Sequence, residues 1–197
     1  MILRFLDFLL KIRSTRRVKK NAVLEGRNHI IGSKANVILM DDARKEQVQI
    51  GDSCWFRGKI IVQTNGVVTL HKHSQIGDNT RILCGDKIVV GAYTAIAPNT
   101  TICDNNNHPV NPISRKKMRV YPPGHESKLW KYSAHAPIII GENCWIGTNV
   151  RVCKGVRIGD NSIVAACSVV TKDVPANCIV AGNPARVVKT DIDKVDL

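Results

Sequence analysis

An aliphatic residue recurs at every sixth position of the stretch from residue 140 to residue 175. These positions are Ile140, Ile146, Val152, Ile158, Val164 and Val170. A helix repeats about every 3.6 residues and a strand about every 2, so a period of six fits neither element alone. It does fit short strands that are joined by turns of constant length, and a hexapeptide period is a signature of β-helices. The period therefore predicts a solenoid of short strands.

Two further positions of each hexad also repeat with a period of six. Four residues after the aliphatic position stands a small or β-branched residue, which we expect to face inward: Cys144, Val150, Val156, Ser162, Ser168 and Val174. Three residues after it stands a residue that tolerates a positive φ, which suits a recurring turn: Asn143, Asn149, Gly155, Asn161 and Asp173. Glycine, Asn and Asp adopt that backbone conformation most readily.

The same register is present earlier in the chain. Its hexads begin at Ile50, Phe56, Val62, Leu70, Ile76, Ile82, Val90, Ile96 and Ile102. The steps from Val62 to Leu70 and from Ile82 to Val90 are eight residues long, so two residues are inserted after every third hexad. Three hexads therefore form one turn of a three-sided prism. Ile31 and Val37 are candidates for a first, irregular coil, which predicts five or six stacked coils.

The resulting domain plan has three parts. Residues 1–30 are an N-terminal helix and basic segment, 31–189 are the β-helix, and 190–197 are a tail. Residues 107–137 interrupt the register with a Pro-rich basic insertion that contains Arg115, Lys116, Lys117, Arg119, Trp130 and Tyr132. A long insertion in a regular solenoid is typically functional. The segment after Pro175 is predicted to be a loop that closes the last coil.

The first twenty residues predict an amphipathic helix. Their apolar run is interrupted by Arg4, Asp7 and Lys11, and it is too short and too charged to span a bilayer. Most of the charge follows the apolar run and no cleavage site is evident, so a signal peptide is not expected. Two interpretations stay open: attachment to an anionic membrane surface, and packing on the solenoid or on a sister subunit.

Charge and cysteine content narrow the class of protein. Lys and Arg number 29 against 16 Asp and Glu, a net charge of +13, which predicts an anionic partner such as cofactor phosphates, an acidic glycan, a membrane surface or nucleic acid. No two of the seven cysteines form a C-x-x-C motif, so a zinc or redox motif is not expected. Cys54 and Cys144 occupy inward positions, and scattered thiols favour a reducing, cytoplasmic compartment.

Four segments carry a resemblance to a known family: A-P-N-T-T-I-C-D-N-N-N-H-P, I-I-I-G-E-N-C-W-I-G, S-V-V-T-K-D-V-P and A-G-N-P-A-R. From Ile50 to Lys189 the chain resembles the hexapeptide-repeat acyltransferases, and among them the maltose/galactoside O-acetyltransferases and related glycan O-acetyltransferases. The resemblance implies an all-β fold, a left-handed parallel β-helix. It also implies a homotrimer with active sites between subunits, and acetyl-CoA as the acyl donor.

His108 is the candidate catalytic residue. It follows the end of a coil and begins the insertion, in the segment N-H-P. Acyl transfer from a thioester to a hydroxyl needs a base, and an imidazole suits that role because its ordinary pKa is about 6.5. The matching histidine of the resembling family has this role. Asp104 and Asn107 are candidates for orienting the imidazole or binding the acceptor, although both are also ordinary turn residues.

The resemblance assigns further residues to the two substrates. Trp145 matches a family position that lines the acetyl and acceptor pocket, whereas the acceptor-holding Asn of sugar-acetylating relatives has no match here. Positions that match family contacts to coenzyme A are Ala166, Thr171, Lys172, Arg186 and Lys189. Lys and Arg at such positions can bind phosphate. A backbone N–H of the Gly147–Thr148 region is a candidate for stabilising the oxyanion.

The expected function is acetyl-CoA-dependent O-acetylation of a sugar or glycan hydroxyl in surface polysaccharide biosynthesis. Antibiotic acetylation, serine O-acetylation and N-acetylation of an amino sugar are the alternatives within the family. Outside it, a zinc enzyme like the γ-class carbonic anhydrases is not favoured, because only His71 and His73 lie close together in the sequence. A nucleic-acid-binding scaffold would explain the charge, but no recognition motif accompanies it. We therefore expect no required metal and no specific nucleic acid.

Overall fold

A computed structural model describes residues 2–194 of the chain. The first three coils are β1 (Val23–Leu24), β2 (Ile30–Ile31), β3 (Asn36–Met40); β4 (Val48–Ile50), β5 (Trp55–Phe56), β6 (Lys59–Gln63); and β7 (Val67–Leu70), β8 (Gln75–Ile76), β9 (Arg81–Cys84). The next three are β10 (Lys87–Val90), β11 (Ala95–Ile96), β12 (Thr101–Cys103); β13 (Ile138–Ile140), β14 (Trp145–Ile146), β15 (Arg151–Cys153); and β16 (Arg157–Ile158), β17 (Ile163–Val164), β18 (Val169–Val170). Two strands follow the coils: β19 (Ile179–Gly182) and β20 (Ala185–Lys189).

Helices lie at the start of the chain and inside the insertion. These are α1 (Ile2–Asn21), before the first coil, and α2 (Pro112–Val120), between β12 and β13. Short 3-10 turns occupy Lys45–Gln47, Glu126–Lys128, Trp130–Tyr132 and Ile192–Lys194. Across residues 2–194, no helix combines the length and the apolar content needed to cross a membrane.

Equivalent strands of successive coils stack into three parallel sheets. The first sheet has the order β1-β4-β7-β10-β13-β16 and the third has the order β3-β6-β9-β12-β15-β18. The second sheet continues beyond the coils, in the order β2-β5-β8-β11-β14-β17-β19-β20. The three-sided prism predicted from the spacing is thus confirmed, with six coils. We call the turns that follow the strands of the third sheet the insertion corner.

The predicted inward positions form the core. Every aliphatic hexad position from Ile50 to Val170, and all six small positions from Cys144 to Val174, are at most 4% exposed. Buried hydroxyls bond to backbone carbonyls: the Ser162 Oγ donates to the Pro175 carbonyl over 2.7 Å. These bonds satisfy groups whose burial would otherwise destabilise the fold.

The turn positions follow the prediction with one exception. Positive φ angles between +54° and +78° are found at Asn143, Asn149, Gly155 and Asn161. Asp173 is absent from the described residues with a positive φ, so that expectation is wrong, and Cys167 (φ +61°) occupies the position one hexad earlier. The Asp173 carboxylate instead accepts a hydrogen bond from the Arg157 backbone N–H over 2.8 Å, which holds its turn without left-handed backbone.

The N-terminal helix closes the open end of the first coil. That coil begins at Val23, before the boundary at residue 31 drawn from the sequence, because β1 pairs with β4 outside the clear hexad register. The second half of α1 packs on it: Val18 is fully buried, and the Ser14 Oγ donates to the Ser33 carbonyl over 2.7 Å. The first half leaves apolar side chains exposed, namely Phe5, Leu6, Phe8, Leu9 and Leu10.

The chain after Pro175 differs from the predicted closing loop. β19 extends the second sheet in parallel with β17, and β20 then turns back and pairs with β19 in antiparallel orientation. An antiparallel partner at the end of a parallel sheet covers an edge that would otherwise present unpaired backbone groups.

Candidate active site

The insertion, residues 107–137, packs along the insertion corner of the earlier coils. The Trp130 backbone N–H donates to the Gln63 side-chain Oε1 over 2.8 Å, at the end of β6. His135 Nδ1 lies 3.1 Å from an Asp86 carboxylate oxygen, in the turn after β9. The insertion, which departs from the fourth coil, is therefore bound to both the second and the third coil.

Asp104 anchors the point of departure. Its side chain is fully buried, and its carboxylate accepts hydrogen bonds from the backbone N–H groups of Gly85 and Asp86, both over 2.9 Å, and from the Asn105 amide over 3.0 Å. Because the Asp104 carboxylate is buried and both of its oxygens accept hydrogen bonds from the protein, it cannot contact an acceptor or the His108 ring. The expectation that Asp104 binds the acceptor or orients the imidazole directly is wrong, because burial reserves it for the backbone.

The next turn presents the candidate base. The Asn105 Oδ1 accepts a hydrogen bond from the Asn107 N–H over 2.9 Å, Asn107 has a φ of +61°, and the His108 N–H donates to the Asn106 carbonyl over 2.7 Å. His108 is exposed. Within residues 2–194, neither its imidazole nor the Asn107 amide has a hydrogen-bonding partner in the protein. Both side chains are thus free to contact a substrate.

A helix that was not predicted follows this turn. The Asn111 side chain caps α2 by accepting two backbone N–H bonds of the first turn, over 2.9 and 3.1 Å, and Pro112 begins the helix. This pairing of a capping Asn with a first-turn Pro is a recognised helix start, so the sequence held a usable signal. Arg115 and Arg119 are four residues apart and share one face of α2.

Two cavities lie on either side of Met118, which is 6% exposed. The smaller, about 190 Å³, is lined by His108, Arg115, Met118, Arg119 and Lys128. The larger, about 480 Å³, includes in its lining Tyr121, His125, Glu126 and Tyr132. The rings of Tyr121 and His125 stack with their centroids 3.9 Å apart. The candidate base therefore opens onto a small, strongly basic cavity.

Trp145 lies elsewhere on the protomer. It is on β14 of the second sheet, between Ala95 of β11 and Ile163 of β17, and its side chain is 58% exposed. His108 follows the third sheet, so these two residues occupy different sides of the prism. A single protomer does not bring them into one pocket.

The residues matched to the acyl donor lie at two corners of the prism and on β20. Ala166 is exposed in the turn after β17, where the Ala165 N–H donates to the Val180 carbonyl. Ala181 follows Val180, and its partner across β19 and β20 is Arg186.

The other donor candidates are also exposed. Thr171 and Lys172 lie at the following corner, after β18, and Lys189 pairs with Ile179. The turn after β14 and the turn after β17 are closely stacked, because a Cβ added to Gly147 would lie 2.6 Å from the Ala166 nitrogen. Two small residues, Gly147 and Ala166, meet at this contact. Small residues with flanking cations suit a long amide-bearing arm that ends in phosphates.

Comparison with known proteins assigns the chain to a family. Residues 137–172 match the model described as bacterial transferase hexapeptide (six repeats). The chain is 32% identical over 145 residues to a galactoside O-acetyltransferase of Escherichia coli K12, covering 74% of this chain and 64% of that relative, just under two thirds of its length. It is 30% identical over 145 residues, 74% of this chain and 70% of the relative, to the putative colanic acid biosynthesis acetyltransferase WcaF of the same strain.

The chain belongs to the hexapeptide-repeat acyltransferases. Its fold is accordingly the left-handed parallel β-helix. The solved structure of AntD, an N-acyltransferase from Bacillus cereus in complex with dTDP and 3-hydroxybutyryl-CoA, superimposes with a TM-score of 0.67 over 90% of this chain and 88% of that one, at 20% identity. At that identity the likeness concerns the fold.

The buried thiols of this acyltransferase are poor nucleophiles. Burial raises the pKa of the Cys54, Cys84, Cys103 and Cys144 thiols, so they remain protonated at neutral pH. In the described part of the chain, no three His, Cys, Asp or Glu side chains are grouped as metal ligands would be. The Gly147 N–H donates to the Val164 carbonyl over 2.8 Å, so it is not available as an oxyanion donor, and Thr148 remains the candidate.

Proposed function

We propose that this protein is an acetyl-CoA-dependent O-acetyltransferase that acts on a sugar or glycan hydroxyl. The observation that carries the proposal is the exposed His108 imidazole, which is free of protein partners in the described chain and opens onto a cavity. Relatives named for galactoside acetylation and colanic acid biosynthesis support a glycan acceptor and a role in polysaccharide biosynthesis.

His108 acts as the general base. Its neutral ring nitrogen takes the proton from the acceptor hydroxyl as the hydroxyl oxygen attacks the thioester carbonyl carbon. The carbon–sulfur bond then breaks, and the imidazolium returns the proton to the departing sulfur. Acetyl-CoA supplies the activated acyl group, and transfer is direct, since attack of the acceptor hydroxyl on the thioester needs no acyl-enzyme intermediate.

The donor lies along the corner that carries Ala166. The alanines leave the backbone accessible to the pantetheine arm, and Thr171 bounds its path. Lys172, Arg186 and Lys189 hold the phosphates, because exposed cations bind phosphate oxygens through charge-assisted hydrogen bonds.

The active site is completed by a second subunit of a homotrimer. Trp145 and His108 lie on different sides of one protomer, so an acceptor pocket that uses both needs Trp145 from a neighbouring copy. Asn107, whose amide is adjacent to the base, binds the acceptor from the same chain as His108.

The enzyme works in the cytoplasm, at the inner face of the membrane. The first half of α1 exposes Phe5 (62%) and Phe8 (58%), and cations concentrate in its second half. Apolar and basic groups together favour an anionic lipid surface. Cosedimentation with vesicles containing anionic lipid tests this: Phe5→Glu/Phe8→Glu should abolish binding without changing turnover on a water-soluble acceptor, whereas equal sedimentation of the variant and the wild type contradicts it.

N-acylation is the second candidate function, favoured by the likeness of the fold to an N-acyltransferase. The same base would take a proton from an amine in place of a hydroxyl. Matched acceptors that differ only in bearing an amine or a hydroxyl, such as glucosamine and glucose, separate the two, because an amide product survives mild alkali that cleaves an ester.

The test of the main proposal is thiol release from acetyl-CoA with a panel of sugars. His108→Ala should lower kcat by about a hundredfold to ten-thousandfold, the usual range for loss of a general base, while the affinity for CoA is retained. His71→Ala removes an exposed histidine of the coils and is the matched control. Unchanged kcat in His108→Ala would contradict the proposed role.

A further inference from the structure

The small cavity beside His108 carries positive charge that the insertion does not neutralise. Residues 107–137 contain six Lys and Arg against one acidic residue, Glu126, which lines the larger cavity instead. In residues 2–194, the ion pairs involve none of these six cations. Arg115, Arg119 and Lys128 line the cavity with His108, so three cations converge beside the base.

Two of the three cations are held in place by the insertion itself. The Arg115 Nη1 donates to the Val110 carbonyl and the Lys128 Nζ donates to the Tyr121 carbonyl, both over 2.7 Å. The side chain of Arg119, one helical turn from Arg115, has no hydrogen bond to the rest of the described chain. Its guanidinium keeps a planar set of donors that matches a carboxylate or a phosphate.

The size of the cavity limits what it can hold. Sites that enclose a whole small molecule usually measure about 300–1,000 Å³, so 190 Å³ suits one charged group of a larger molecule. The acyl donor has its own candidate cations: Lys172, which lies on the insertion corner two coils beyond the turn of His108, and Arg186, which lies on β20. The cations around His108 are therefore available to the acceptor.

We propose that the acceptor is an anionic glycan, whose carboxylate or phosphate group is bound by Arg119 with Arg115 and Lys128 while the hydroxyl to be acetylated lies at His108. This inference rests on the proposed O-acetyltransferase function and specifies its substrate class. The anionic group fixes the position of the sugar through charge-assisted hydrogen bonds, and so selects which hydroxyl reaches the imidazole.

The first experiment compares acceptors that share one sugar: galactose, galacturonate, galactose 1-phosphate and UDP-galactose, each with acetyl-CoA. We expect kcat/KM to be about tenfold to a hundredfold higher for at least one anionic acceptor than for galactose, as one or two hydrogen bonds to a charged group would produce. Preference for galacturonate identifies a carboxylate as the bound group, and preference for the phosphorylated sugars identifies a phosphate. Equal use of galactose overturns the inference and leaves the proposed function intact.

The second experiment locates the preference. Arg119→Gln should lower kcat/KM for the preferred anionic acceptor at least tenfold more than for galactose, by the same reasoning on charged hydrogen bonds. Lys116→Gln, the same loss of charge on the same helix but outside the cavity, should leave the preference unchanged. A rise in the KM for acetyl-CoA in Arg119→Gln, with the acceptor preference intact, would assign the cavity to the donor and overturn the inference.

A third measurement separates the two proposals if no sugar drives thiol release. Calorimetry can follow inorganic pyrophosphate binding to protein saturated with CoA, so that the donor site is filled. Binding that is lost in Arg119→Gln and kept in Lys116→Gln would support the anion site although the proposed reaction had failed. No difference between the three proteins would overturn the anion site itself.

Discussion

The coils from β13 to β18 and the insertion before them differ in how each residue is used. In the coils, two side chains of every six face the core, and each strand pairs with the equivalent strand of the coil before it. In the insertion, all of which the structure describes, Met118 and Ser133 are the two buried residues. Stability therefore resides in the repeated part, and the candidate base His108 lies where the repetition stops.

The largest expected difference concerns the core. Ile146→Ala should lower the free energy of unfolding by about 2–5 kcal/mol, because Ile146 is fully buried in a stack with no room to collapse. Val110→Ala, in the insertion and 68% exposed, should change it by no more than about 0.5 kcal/mol. Denaturant unfolding of both variants checks this. Similar losses for the two would break the distinction between the regions.

The junction between the regions should show an intermediate effect. Asp104→Asn leaves one buried backbone N–H facing an amide nitrogen, which should cost about 1–3 kcal/mol of stability. Because Asp104 holds the turn that presents His108, kcat for acetyl transfer should also fall. Asp160→Asn makes the same change at an exposed coil corner, where the carboxylate accepts the Glu142 N–H, and should lower neither quantity measurably. A stable Asp104→Asn enzyme with full kcat would show that this anchor is dispensable.

The smallest expected effect concerns two Asn residues with the same backbone conformation, one in the insertion and one in the coils. Asn107 (φ +61°) and Asn149 (φ +58°) adopt the same left-handed conformation, one beside His108 and one within the coils. Replacing either by Ala should cost about 1 kcal/mol, since Ala tolerates that conformation less well. Only Asn107→Ala should also raise the KM for the acceptor. Steady-state kinetics with thermal unfolding of both variants decides whether Asn107 binds substrate or only shapes the turn.

Asp104 shows which property of a candidate site residue the local sequence does not reveal. The segment around Asp104 and His108 was identified from its motif, yet only the structure shows that Asp104 is buried and bonded to two backbone N–H groups of the preceding coil. Those groups lie 18 and 19 residues earlier in the chain. Local sequence could not show that they meet, because the stacking of coils brings them together.

The helix α2 illustrates a different gap. Asn111 and Pro112 mark its start in the sequence, and its basic residues are visible there as well. The Pro-rich insertion has no helical period of hydrophobic residues, however, so the sequence does not predict the helix from its pattern. The cavity formed by Arg115, Arg119 and Lys128 with His108 depends on how that helix folds back over the turn. The positive charge of the insertion was therefore predictable from the sequence. The grouping of three of its cations around His108 was not.

The three sides of the prism and the inward positions follow from spacing alone, because each hexad repeats the same local geometry and buries its face only against its neighbours. The spacing left five or six coils open, and the structure has six. The partition of the site was decided by tertiary structure: His108 at the insertion corner, Trp145 on the second sheet, and a basic cavity under α2. Those arrangements depend on contacts between residues far apart in the chain, and a local period carries no information about such contacts.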